Sequence, residues 1–449
     1  MVLPIQSFGC RNFRSLAERS GEIRLRPLTL LVGPNSSGKS SYLRLLALLK
    51  QTIESRDQTS PLLLNGPWTQ LGAWDDLIWR HDISRGLEVN LDISTSGSAF
   101  LADLGPRSPT RRGRASVSSL RLSVVFAYHK PAIFVSSLRF STKDGTALAA
   151  VTRNDDGLYR LVDVPGGIQA EDSRKSARFD LKKFYQLGPP RPFPKPSEQD
   201  MENLMLMSYI LPGEIEQAFS SFYYLGPLRS NPQRYYIMTG ENLQDVGLSG
   251  ERAIEVLQFG RGKPGKALGN VSSGVNRWLK TFGFSAGSKL RQISKNIYYL
   301  ELTDPHSDVH VNLADVGFGV SQVLPIIVQS LCAPDDSLLL LEQPEIHLNG
   351  RVQADLADLF IEASAKKTLL VETHSSDLIT RLRRRISEGK ADASNVAVYY
   401  CEGTKDGTAL QELPLTAGGQ FVDWPRGFLA SELDDAIAQV EALRTSDRQ

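Results

Sequence analysis

The pattern of apolar positions changes period near the start of the chain. Residues 28–32 (Leu-Thr-Leu-Leu-Val) are almost continuously apolar, as in a short buried strand, while Leu43, Leu46, Ala47 and Leu49 recur at helical spacing. A Gly- and Ser-rich loop at 33–40 joins the two. Short runs then predict strands at 87–93, 120–128, 132–140 and 159–164, separated by Gly, Ser and Asp turns. Five prolines between Pro189 and Pro196 mark a linker ahead of a helix over 198–221. Helices are expected at 250–259 and 271–282, and strands at 297–302 and 309–313. The last third alternates: helix 322–332, strand 337–341, helix 351–363, strand 368–372, helix 376–386, strand 396–401. Such alternation predicts an α/β fold with a mostly parallel, helix-covered sheet. The expected layout is an N-terminal lobe (1–165) with the loop and a strand-rich part, an inserted, mainly helical subdomain (166–300), and a C-terminal lobe (301–449).

Composition narrows the classes. The chain has 449 residues, room for up to three domains of about 150 residues. Its 51 Lys and Arg against 50 Asp and Glu leave +1, which excludes a polybasic protein that coats nucleic acid with its whole surface. Three scattered cysteines, Cys10, Cys332 and Cys401, make neither a disulfide framework nor a CxxC knuckle. The N-terminus lacks the apolar core of a signal peptide, and no run approaches the ~20 apolar residues of a membrane span. A cytoplasmic protein without a membrane partner is expected.

Gly33-x4-Gly38-Lys39-Ser40 has the spelling of a phosphate-binding loop and follows a strand while opening a helix. The glycines let backbone N–H groups converge on phosphate oxygens, and the helix N-terminus adds its positive dipole end. Gly33, Asn35, Ser36, Ser37, Gly38, Lys39, Ser40 and Ser41 are therefore candidates for holding ATP, with Lys39 on the β/γ-phosphates and Ser40 on Mg²⁺. A near-copy at 260–267 follows a helix and ends in Ala267, which offers no hydroxyl to a metal, so it reads as a solvated basic loop.

Downstream, the apolar run 338–341 ends in Glu342-Gln343-Pro344-Glu345. A carboxylate at the tip of such a strand is costly without a cationic partner, which makes Glu342 the acidic Mg²⁺ candidate. The strand at 368–372 leads to Thr373-His374-Ser375, where His374 can sense a γ-phosphate. Asp315-Val-Gly317-Phe-Gly319-Val-Ser321-Gln322 is a Gly-rich turn opening a helix. Each feature alone also reads as an ordinary turn or a satisfied polar residue. Their order along the chain is harder to explain that way.

That order resembles the ABC-type ATPase heads of the SMC, RecF and OLD (overcoming lysogenization defect) branch, and within it the bacterial AAA-labelled ATPases with a C-terminal domain of unknown function. The matching stretches are Asn12-Phe-Arg14-Ser15, the loop at 33–40, Tyr224-Leu-Gly-Pro-Leu-Arg229, 315–325, 338–348, 372–385 and 419–428. The resemblance implies a P-loop NTPase fold and a homodimer with two ATP molecules sandwiched. Gly317, Gly319, Ser321 and Gln322 of one subunit would meet the loop, Glu342 and His374 of the other, and Arg14 would join the nucleotide site. It further implies an ATP-driven switch that controls DNA engagement or a separately encoded effector such as a nuclease, in anti-phage defence. The alternative is a RecF-like, ATP-dependent DNA clamp or scaffold for repair or maintenance. A transporter subunit fits poorly, because about 275 residues separate Ser40 from Asp315.

Departures bear on rate. Gln343 stands where relatives carry a catalytic glutamate and cannot act as a carboxylate base, so Glu345 is the nearest substitute and slow hydrolysis is expected. The family's Q-loop glutamine has no clear counterpart, and Gln70, in Trp68-Thr-Gln-Leu, is a guess for it. Val398-Tyr-Tyr-Cys-Glu402-Gly403 imitates the opening of the TOPRIM domain of OLD nucleases, but no Asp-x-Asp follows, and Asp434-Asp435 lies in a polar helical context. His306 and His310 have a helical metal spacing in a strand-like setting. Arg381, Arg383, Arg384 and Arg385 cluster on one helix and, with the basic loops at 107–114 and 261–266, form either a solvated face or a DNA contact.

Overall fold

The computed structural model describes residues 3–18, 20–95, 118–163, 178–191, 205–239, 243–259 and 268–425. Its organising element is a six-stranded sheet in the order Phe222–Leu225, Leu338–Glu342, Thr368–Glu372, Leu28–Val32, Val396–Thr404, Gly407–Glu412. The first five strands run parallel, and the last turns back as a hairpin partner. The P-loop strand is thus separated from the Glu342 strand by the one that leads to His374, and all three end on the same side.

Because a strand alternates its faces, the short apolar runs serve two cores at once. Leu338, Leu340 and Leu370 face one core, which they share with the helix Lys39–Glu54 and an antiparallel nine-stranded sheet. Leu339, Leu341, Leu369 and Val371 face the other, packed under the helices Phe318–Cys332, Gly350–Ser364 and Ser376–Ser387. Burial on both faces is what parallel strands demand, and it explains why these strands show no polar alternation. The helix following the P-loop is itself buried nearly all round, in keeping with its place between two sheets.

The nine-stranded sheet contains the strand-rich part of the N-terminal lobe: Leu87–Ser94, Ser119–His129, Ala132–Thr142 and Tyr159–Asp163 all pair within it. The expected boundary at 165 cuts through it, since Arg178–Lys182 and Gln186–Arg191 add two more strands beyond that point. The section 166–300 is also less helical than expected, because it supplies Phe222–Leu225 to the central sheet and Gly287–Ser294 to a separate small sheet. The expected helix at 198–221 is described from residue 205, as a π-helical turn running into Leu211–Ser220. The helix expected from 322 starts earlier, at Phe318, with Gly317 as its N-cap, so the Gly-rich turn lies at the helix entrance. Among the described residues, no helix is long and apolar enough to cross a membrane.

Candidate functional site

A cavity of about 440 Å³ opens at the carboxyl ends of the central strands, the usual ligand position in open α/β sheets. It gathers Arg14, Asn35, Ser36, Ser37, Gly38, Lys39, Ser40, Ser41, Gln343 and His374 from the expected set, and adds Ser15, Arg44 and Glu372.

The loop takes its shape from two left-handed glycines. Gly33 has φ +140°, and a Cβ there would lie 2.2 Å from the Cys401 carbonyl oxygen. Gly38 has φ +97°, where a Cβ would fall 2.1 Å from Thr408 Oγ1 and 2.6 Å from Ser15 Oγ. No other residue fits either position. Behind the loop, Thr408 Oγ1 stands 2.9 Å from both the Ser15 hydroxyl and the Ser37 carbonyl. The hairpin that imitates a TOPRIM opening therefore serves as a backstop for the P-loop, with Glu402 exposed at its end.

Lys39 is folded back on its own loop, its Nζ donating to the carbonyls of Pro34 (2.6 Å) and Gly33 (3.0 Å). Burial lowers its pKa against the pull of Glu372, Cys401 and Glu345. A buried cation held only by neutral carbonyls is under-compensated, and a phosphate group would complete it. The cradle thus fits a nucleotide's phosphates.

Three buried carboxylates lie at or beside the strand ends here, and Glu372 and Glu345 act on Lys39. Glu342 and Glu372 sit opposite one another in register at the ends of adjacent strands. Glu342 Oε1 takes the Tyr224 hydroxyl at 2.5 Å, and burial raises its pKa. Glu372 Oε1 takes the Ser40 hydroxyl at 2.8 Å, while its Oε2 is buried without a partner. Burial, followed by the charge of Glu342, pushes Glu372 up to about 7. Ser40 was expected to work with Glu342; the carboxylate it meets is Glu372, because the strand that carries Glu372 lies between them. Glu345 was expected to replace the missing base, but both its oxygens are engaged: Oε1 by the His374 N–H (2.6 Å) and Oε2 by the Thr373 hydroxyl (2.9 Å). It does not line the cavity, and its geometry suits holding the His374 turn. Gln343 does line it, in a left-handed conformation (φ +43°) with its N–H on the Glu372 carbonyl. Burial, then Lys39, lowers the His374 pKa, so the imidazole is neutral at pH 7.

Gly317, Gly319, Ser321 and Gln322 lie outside the cavity. Gly319 packs instead near Phe284 and the His347 carbonyl, and Phe318 meets the His347 ring edge-on at 5.2 Å. Gln70 is exposed and outside the cavity too. His310 lies in a short strand with Nδ1 3.2 Å from the Thr303 hydroxyl, while His306 precedes it on an exposed turn.

The arginine cluster is not a free basic face. Arg381 bridges Asp355 and Asp358 at 2.8 Å each, Arg385 pairs with Asp358 and Glu388, and Arg384 with Glu388. Arg383 bonds the Gly419 carbonyl and lies over the rings of Phe421 and Trp424. These contacts tie the helix Ser376–Ser387 to its neighbours. The basic loops at 107–114 and 261–266 and the pair Asp434-Asp435 lie outside the described residues.

Arg44 and Glu372 are the functional candidates that sequence reasoning passed over. Arg44 is one helical turn beyond Ser40, on the same face, and was detectable from that spacing. Glu372 could be singled out only once strand adjacency was known.

Residues 159–380, just under half of the chain, match a family described as "AAA domain, putative AbiEii toxin, Type IV TA system". The match takes in the Gly-rich turn, the Glu342 strand and His374, and begins well after the P-loop. No curated protein matches the chain. Among solved structures, an SMC head bound to the C-winged helix domain of ScpA is 13% identical, with 92% of this chain and 98% of that one covered and a TM-score of 0.43. The SMC head domain from Thermotoga maritima is also 13% identical (92% and 99%, TM-score 0.37). A Pyrococcus furiosus Smc head with an extended coiled coil, bound to the C-terminal domain of ScpA, gives 13%, 98% and 99%, with a TM-score of 0.40. Over residues 159–380 the chain is thus similar to that AAA-domain family.

Proposed function

We propose that this ATPase binds Mg-ATP between two copies of the chain and hydrolyses it slowly, so that the closed dimer acts as a switch. The observation that carries the reading is the split of the phosphate-binding set. Lys39, Ser40, Gln343 and His374 share one cavity, while Gly317, Gly319, Ser321 and Gln322 stand outside it at a helix entrance. A second copy supplies what the first lacks.

In this reading Lys39 exchanges the Gly33 and Pro34 carbonyls for phosphate oxygens, and the loop N–H groups take the rest. Ser40 would hold Mg²⁺ beside the acidic strand ends, and the ion would supply charge neutralisation of the phosphate oxygens. Gln343 orients water without taking its proton, and neutral His374 hydrogen-bonds the terminal phosphate. Without a glutamate at the Gln343 position the site turns over slowly, which suits a clamp.

The state set by ATP is read by a separately encoded effector such as a nuclease, in anti-phage defence. Support for an external effector is that the chain's hairpin at 396–412 is spent on the P-loop. The DNA-clamp alternative has weaker support, since Arg381, Arg384 and Arg385 are each paired with an acid.

The test is mass measurement by light scattering of the wild type and Lys39→Ala, with and without Mg-ATP. A dimer formed by the wild type only with nucleotide, and never by Lys39→Ala, is expected. A nucleotide-independent mass would refute the switch.

A further inference from the structure

We infer that Glu372 belongs to the magnesium site, as the carboxylate that holds the Ser40 hydroxyl and accepts a metal-bound water, with Glu342 standing behind it. The inference rests on the ATP-site reading above and deepens it.

Glu372 lines the cavity and Glu342 does not. The 2.8 Å between Ser40 Oγ and Glu372 Oε1 is a direct hydrogen bond. A hydroxyl that ligates a cation becomes a better donor, and Glu372 is already its acceptor.

The second oxygen gives an independent pointer. Glu372 Oε2 is buried with no hydrogen-bond partner, in a residue only 2% exposed. An ionised carboxylate oxygen left this way is expensive, and a water in the metal's shell would satisfy it. Glu342, by contrast, already has Tyr224 at 2.5 Å.

No three His, Cys, Asp or Glu side chains cluster as a metal cage among the described residues. That agrees with magnesium arriving with its nucleotide and needing only one or two protein carboxylates. The register Glu342↔Glu372 then gives the site two acids in series across adjacent strands. Glu372 faces the ion, and Glu342 adds negative field from behind.

The experiment measures binding, not turnover. Mn²⁺ is titrated into wild type, Glu372→Gln and Glu342→Gln, each saturated with a non-hydrolysable ATP analogue, and free Mn²⁺ is read by electron paramagnetic resonance. Affinity of the analogue is measured separately in EDTA. Glu372→Gln should weaken Mn²⁺ by about 10- to 100-fold, the usual cost of losing such a partner, while the affinity in EDTA is kept. Glu342→Gln should weaken Mn²⁺ less. Unchanged Mn²⁺ binding in Glu372→Gln, or a larger loss in Glu342→Gln, overturns the assignment. Loss of analogue binding in EDTA by Glu372→Gln would make the residue structural and overturn it too. A wild type that binds no analogue under either condition would instead sink the ATP-site reading itself.

Discussion

Replacing Glu372 by Gln should stabilise the metal-free, nucleotide-free protein, and only above mildly acidic pH. Burial and the facing Glu342 raise the Glu372 pKa from 4.5 to about 7. A shift of about 2.5 pKa units at 1.36 kcal/mol each is about 3 kcal/mol. The folded chain holds the proton in the window where the unfolded chain has lost it. Its stability is therefore full below about pH 4.5, falls as pH rises to about 7, and is flat beyond. Glutamine matches the protonated shape, can still accept from Ser40, and carries no charge at any pH. At pH 5 the two proteins should melt within a degree of each other. At pH 8, without magnesium or nucleotide, Glu372→Gln should melt higher by several degrees, on the scale of about 2–4 °C per kcal/mol or somewhat less in a chain this long. Differential scanning calorimetry of both proteins at the two pH values is the assay. An equal shift at both, or a mutant that melts lower at pH 8, would refute the account of a strained carboxylate pair.

Gly38→Ala places a Cβ 2.1 Å from Thr408 Oγ1 at φ +97°; it should cost about 1–3 kcal/mol in the melt and abolish binding of a fluorescent ATP analogue. Lys39→Ala should lose that binding too, yet fold normally by circular dichroism, because its Nζ contacts are local carbonyls. Arg381→Ala removes the bridge to Asp355 and one of the two arginines on Asp358 and should destabilise by about 1–3 kcal/mol; if it leaves the melt unchanged and instead weakens DNA retention in a filter assay, the arginine face is a binding surface after all. Glu345→Gln keeps one acceptor for the His374 N–H and should slow hydrolysis less than Gln343→Ala does, and the reverse order in a phosphate-release assay would restore Glu345 as the base.

The local features of this protein were legible in the chain because each depends on neighbours in sequence. An apolar strand, two glycines at a fixed spacing and a helix start specify the P-loop by backbone geometry alone, and the two-sided apolar runs at 338–341 and 368–371 announce parallel strands. The catalytic side of the cavity was less so. Which acid meets Ser40 depends on strand order, and sequence order does not reveal that the Glu372 strand lies between those of Ser40 and Glu342. The reach of the nine-stranded sheet past 165 was hidden for the same reason: strand pairing is non-local and is settled by which apolar faces cover one another. Arg381 and Arg385 looked free because their partners, Asp355 and Asp358, lie on another helix. Charge in sequence sets what a surface can bind. Folding, which stabilises opposite charges only when they meet, decides which of those charges are left to bind it.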